Sequence, residues 1–115
     1  MKKLFLLSLL LSSSCFAELN TVGRYESMSQ TDKSATGLYI MGIGEGASWA
    51  QIYGISFKNK KLYCMPPNLA MNINNYVQLL ETGIQKLKAR KPNSYQNEMI
   101  DTVLIDELIS NFPCR

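Results

Sequence analysis

Two cysteines carry the most specific chemistry in this chain of 115 residues: Cys64 in "LYCMPP" and Cys114 in "ISNFPCR". Thiols can act as nucleophiles, bind metals or join to each other, and the neighbouring residues decide which. The sequence has no histidine. That removes the commonest general base, the commonest metal ligand and every Cys–His or Ser–His arrangement. The third cysteine, Cys15, falls in a stretch read as a cleaved leader. A Cys64–Cys114 disulfide is therefore the expected use of the mature thiols, the alternative being two unpaired buried cysteines. Closing a loop of about 50 residues is worth about 4 kcal/mol in chain entropy. That is comparable to the whole stability of a small domain. No catalytic residue, metal site or cofactor is expected.

The remaining acid–base candidates are carboxylates. Glu45 stands among small and apolar residues in "GIGEGA", where burial would raise its pKa; the simpler reading has it reach solvent or a basic partner. A small hydrolase centred on Glu45 is thus one alternative. The glycines around it lack the lysine and hydroxyl of a phosphate loop and the spacing of a dinucleotide fingerprint. Asp101 and Glu107 read as a solvated helix face, with Asp106 close by, and Tyr39, Trp49, Tyr53 and Tyr63 as core or seam aromatics.

Compartment follows from the first residues. "MKKLFLLSLLLSSSCFA", residues 1–17, has two lysines, an apolar run and small residues before Ala17, the pattern of a secretory signal. A lipid-modified Cys15 is the rival reading. The apolar run is too short for a bilayer, which needs about 20 residues. Export to an oxidising setting fits the disulfide. Of the 12 basic residues, Lys2 and Lys3 belong to this leader, so ten remain against nine acidic ones. Such balance gives no reason to expect nucleic acid or anionic membrane as a partner, and "KLKARK" reads as a solvated helix end.

One domain, residues 18–115, must then position these groups. Glu18 to Ser34 reads as a polar loop. Next comes an apolar helix without the composition of a membrane span. Its Gly42, Gly46, Ala50 and Gly54 recur every fourth residue, a small-residue stripe for close packing in the core or at a dimer seam. Pro66 and Pro67 impose a connector. Asn72 can cap a helix through Ile73, Tyr76, Val77, Leu80, Ile84 and Leu87, which Pro92 stops. Asn93 or Ser94 can cap a last helix through Met99, Ile100, Val103, Leu104, Leu108 and Ile109, ended by Pro113. The expected fold is all-α: a small helical bundle with a C-terminal helical hairpin tied by one disulfide. "ISFKNKKLYC" allows a small β-hairpin.

The ordered set "GLYIMGIGEG", "YCMPP", a helical hairpin turning at "RKP" and a final "FPC" resembles the Tai family, exported immunity proteins that neutralise cell-wall amidase effectors of type VI secretion. The likeness runs from Ala35 to Cys114. Glu45 occupies the place where members carry an acidic residue. Where many carry a cysteine shortly before the tyrosine, this chain has Thr36 and Gly37, which removes a second bridge. The resemblance implies an all-helical periplasmic protein, often a homodimer, that sterically blocks a peptidoglycan amidase toxin. The plug it implies is the hairpin tip, with Tyr95 as aromatic anchor and Arg90, Lys91, Asn93 and Gln96 as polar contacts. A general envelope structural or chaperone-like protein, assembling through the glycine stripe, is the alternative from another class.

Overall fold

The structure, a computed structural model, describes residues 20–53 and 60–115. The expected leader, Cys15, Gly54 and residues 55–59 of the candidate β-hairpin lie outside them. Within them the chain is all-α: α1 (Val22–Ser27), α2 (Gln30–Ile52), α3 (Ile73–Arg90), a 3-10 turn (Tyr95–Asn97) and α4 (Ile100–Asn111).

The stretch expected to be a polar loop is largely helix. Thr21 Oγ1 accepts the Arg24 N–H at 3.3 Å and so caps α1. Val22 and Tyr25 project from that short helix into the core. Ser29 then starts α2, accepting the Asp32 N–H at 3.1 Å and donating its own hydroxyl to the Asp32 carboxylate at 2.8 Å. Two serine/threonine caps thus convert a polar segment into helix. The polar composition had masked them.

Helix α3 begins as its sequence predicts. Asn72 and Asn75 exchange side-chain-to-backbone hydrogen bonds, each 3.0 Å, satisfying two N–H groups that the first turn leaves open. Tyr76, Leu80, Ile84 and Leu87 bury one face. The start of α4 differs from expectation. Neither Asn93 nor Ser94 caps it; those residues belong to the turn, and Met99 precedes the helix without a side-chain cap. A distant strand of backbone does the work instead. Asn20 C=O accepts the Ile100 N–H at 2.8 Å, and Glu98 C=O accepts the Val22 N–H at 2.8 Å.

The hairpin of α3 and α4 closes tightly at Gly83. A methyl group there would come within 2.7 Å of both Val103 Cγ1 and Glu107 Cγ. This contact also revises the reading of Glu107, which is buried at 6% exposure and not part of a solvated face. Its carboxylate receives Lys86 Nζ at 2.8 and 3.1 Å and Asn111 Nδ2 at 3.2 Å. A charge so placed persists only with such partners.

The connector between α2 and α3 has little secondary structure but several ties. Tyr63 is 1% exposed. Its hydroxyl lies 2.9 Å from Ser48 Oγ, while Gln51 Oε1 accepts the Leu62 and Tyr63 N–H groups at 2.7 and 3.1 Å. Cys64 N–H donates to Phe112 C=O at 2.7 Å. Beside that bond Cys64 and Cys114 form a disulfide, spanning 50 residues. The expected bridge is present, and it fastens the connector to the chain just beyond α4.

Reduction, Cys64→Ser and Cys114→Ser should therefore each destabilise the mature protein by about 4 kcal/mol, the entropy of opening that loop. The two single substitutions should match each other and the reduced wild type in thermal unfolding, and the oxidised protein should titrate no thiol at those positions. Unequal losses would show that one sulfur has a role outside the bridge.

Candidate functional site

The turn joining α3 to α4 is built from the helix end outward. Lys91 N–H still donates to Leu87 C=O at 2.8 Å, after which Pro92 prevents another helical turn. Lys91 C=O accepts the N–H groups of Ser94 and Tyr95 at 3.2 and 2.9 Å, and Asn97 N–H returns to Ser94 C=O at 3.1 Å. The turn is thus held by its own backbone. From the outside it rests on α1, where Gly23 packs against Gln96 closely enough that a methyl group would lie 3.1 Å from Gln96 Cβ.

Side chains divide into two sets. Arg90, Lys91, Asn93 and Gln96 are exposed, as the plug expectation requires of its polar contacts. Tyr95 is not: only 8% of it is exposed, and it belongs to the core. The 3-10 turn directs its ring inward, with Lys88 Nζ 5.4 Å above the ring centroid. Tyr95 therefore supports the turn from beneath and offers no aromatic anchor to a partner. Lys91 is also engaged, through a 2.8 Å ion pair with Glu98 across the base of the turn. Such a surface pair stabilises little, about 0 to 1 kcal/mol. It does, however, commit that ammonium to a position.

The small-residue stripe separates in the same way. Gly42 and Gly46 are exposed, with open space where a methyl group would stand, so neither makes the expected intramolecular contact. Ala50 is partly buried, and Gly54 lies outside the described residues. Inside the molecule the close approach is made by Gly44, whose missing side chain admits the Tyr76 ring. The opposite side of α2 carries the surprise. Leu38, Trp49 and Tyr53 share it with the two exposed glycines and are 62%, 54% and 78% exposed. Trp49 and Tyr53 stack with ring centroids 6.1 Å apart.

Glu45 proves to be a partner for packing. Its Oε1 accepts the hydroxyl of fully buried Tyr76 at 2.7 Å. Burial, with the adjacent Glu45 carboxylate adding to it, pushes the Tyr76 hydroxyl far above its ordinary pKa and keeps it a donor. Tyr25 repeats the device at the middle of α3: burial and Glu81, which accepts its hydroxyl at 3.1 Å, raise its pKa well above normal. Tyr25 and Tyr76 each bring a polar tip out of the core to a carboxylate on a helix. Sequence reasoning had assigned Glu81 no part, although a carboxylate one turn after Val77 and within reach of an upstream tyrosine was the available signal.

Among the described residues no three of His, Cys, Asp and Glu converge as metal ligands. None of the described helices is long and apolar enough to cross a membrane.

The two kinds of glycine on α2 should respond oppositely to alanine. Gly44→Ala must displace the Tyr76 ring and should cost about 1 to 3 kcal/mol, the usual range for overpacking. Gly46→Ala should stabilise by up to about 1 kcal/mol through helix propensity alone. Denaturant unfolding of both variants checks this, and a destabilised Gly46→Ala would contradict the outward placement of that face. Compared with known proteins, this chain matches no family model, no curated protein and no solved structure.

Proposed function

We propose that this chain is a periplasmic immunity protein that binds a type VI secreted peptidoglycan amidase and obstructs its substrate cleft with the turn between α3 and α4. The observation that carries the reading is the construction of that turn: polar side chains outside, a buried tyrosine beneath, and backbone hydrogen bonds fixing the path between them. A steric inhibitor gains affinity from such preorganisation, because little chain entropy remains to be lost on docking. Arg90, Asn93 and Gln96 are its outward contacts. The ordered likeness of "GLYIMGIGEG", "YCMPP" and "FPC" to Tai proteins supplies the partner class, and the expected leader supplies the compartment.

The reading includes a pair of copies joined through the outward side of α2. From Ala35 to Tyr53 the one charged residue is Glu45, at the edge of that side with its carboxylate taken up by the Tyr76 hydroxyl, and a helix apolar on both sides is ordinarily covered on both. Its exposed Leu38, Tyr39, Trp49, Ile52 and Tyr53 offer on the order of 600 Å² per copy, approaching the ~800 Å² of a standard interface. In an antiparallel pair with its two-fold level with Gly44, Gly42 would face Gly46, Leu38 would face Ala50, and Ala35 would face Tyr53. Leu38 and Tyr53 would then meet small residues and Tyr39 would meet Trp49 as an aromatic pair, so one surface would complement itself.

Two experiments test these statements. Co-expression of the full chain should protect cells that make the cognate amidase in the periplasm, and a version without residues 1–17 should not; absence of protection against the amidase encoded beside it would sink the reading. In sedimentation at micromolar concentration the mature chain should run as a dimer, with Leu38→Glu and Trp49→Glu shifting it to monomer by at least tenfold in dissociation constant, about 1.4 kcal/mol or more. A monomeric wild type would remove the pairing and leave the protection experiment unaffected.

A further inference from the structure

Four basic residues crowd the last turns of α3, and the structure gives three of them internal work. Lys86 is bound to Glu107, Lys88 lies over the Tyr95 ring, and Lys91 is paired with Glu98. Arg90 has no ion pair among the described residues, and the same holds for Asp106 on α4. Both are exposed. Both line one cleft of about 150 Å³ beside the turn, with Lys91, Thr102 and Glu107 around them. They do so again at the neighbouring cleft that continues along the α3–α4 seam. The hairpin thus presents one uncommitted cation and one uncommitted carboxylate on the same groove, without joining them to each other.

We infer that Arg90 and Asp106 are the specificity-determining charges of the docking surface, reading a carboxylate and a cation on the partner protein. The inference rests on the immunity reading for the identity of that partner. Its physical basis is what docking does to the two groups. In water each is well solvated and an added ion pair is worth little. Beneath a partner that excludes water, each must find its complement or bear a desolvation cost, so the wrong partner is rejected and the right one retained. Arginine suits this position because its planar fork meets a carboxylate with two parallel hydrogen bonds, which lysine cannot reproduce. Lys86, Lys88 and Lys91 add positive potential but little selectivity, since their geometry is already fixed from within.

The test uses the oxidised mature chain and the purified amidase effector encoded beside it, with affinity measured over a range of ionic strength. Arg90→Glu and Asp106→Lys should each weaken binding by about tenfold or more, and Arg90→Lys by severalfold, with unchanged thermal unfolding. The charge-changing variants should also show a shallower dependence on salt. Lys88→Ala, which removes an equal charge two residues away, should stay within about threefold of wild type. If the wild type binds and the Arg90 and Asp106 variants bind equally well, this inference is overturned and the immunity reading stands. If the wild type does not bind, both fall together.

Discussion

The covalent tie from Cys64 to Cys114 joins the two segments least able to hold themselves. One is the connector, stiffened by prolines but short of backbone partners; the other is the chain leaving α4. Once they are fastened, Cys64 N–H reaches Phe112 C=O and Tyr63 is delivered to its site between α2 and the rest of the core. Tyr63 in turn places its hydroxyl beside Ser48 and the Gly44 carbonyl. A single bond thereby sets the docking of α2 against the hairpin, although no residue of α2 takes part in it. In a domain of this size the hydrophobic core alone provides a narrow margin, and the constraint on the unfolded chain supplies much of the difference.

The core between α2 and α3 is unusual in being apolar in body and polar at its edges. Gly44 lets Tyr76 enter, and Tyr76 carries its hydroxyl through to Glu45 on the flank of the same helix. Tyr25 does the same toward Glu81. Each tyrosine contributes a large apolar area while its polar tip remains satisfied. Glu107, held by Lys86 and Asn111, extends the pattern to the hairpin. Together these contacts fix the lateral register of helices that apolar packing alone would define loosely, because a directional hydrogen bond tolerates less sliding than a greasy surface does.

Much of this was legible in the sequence because it depends on local rules. Asn72 announces α3, the 3.6-residue pattern identifies its buried face, and Pro92 and Pro113 mark where helices stop. The disulfide was legible from cysteine arithmetic. What escaped depends on contacts between distant residues. Thr21 and Ser29 were readable as caps only if Val22 and Tyr25 had something to pack on. Helix α4 begins after Met99 without a side-chain cap because the carbonyl of Asn20, far away in sequence, accepts the Ile100 N–H instead. Tyr95 looked available because it lies in a polar turn, whereas a 3-10 geometry aims its ring at the core. The glycine stripe was read on a strict spacing of four. That spacing does put Gly42 and Gly46 on one face, but it is the outward one; Gly44, two residues and about 200° further round the helix, faces Tyr76.

The backbone exchange between Asn20 and Ile100, and between Val22 and Glu98, brings the start of the described chain to the foot of the α3–α4 turn. A tag or fluorophore fused immediately ahead of Asn20 would emerge next to that turn and crowd whatever approaches it. The other terminus leaves beside the disulfide, where Cys64 and Cys114 are both open to solvent. Labels for capture or imaging therefore belong after Arg115, joined by a spacer that clears the bridge.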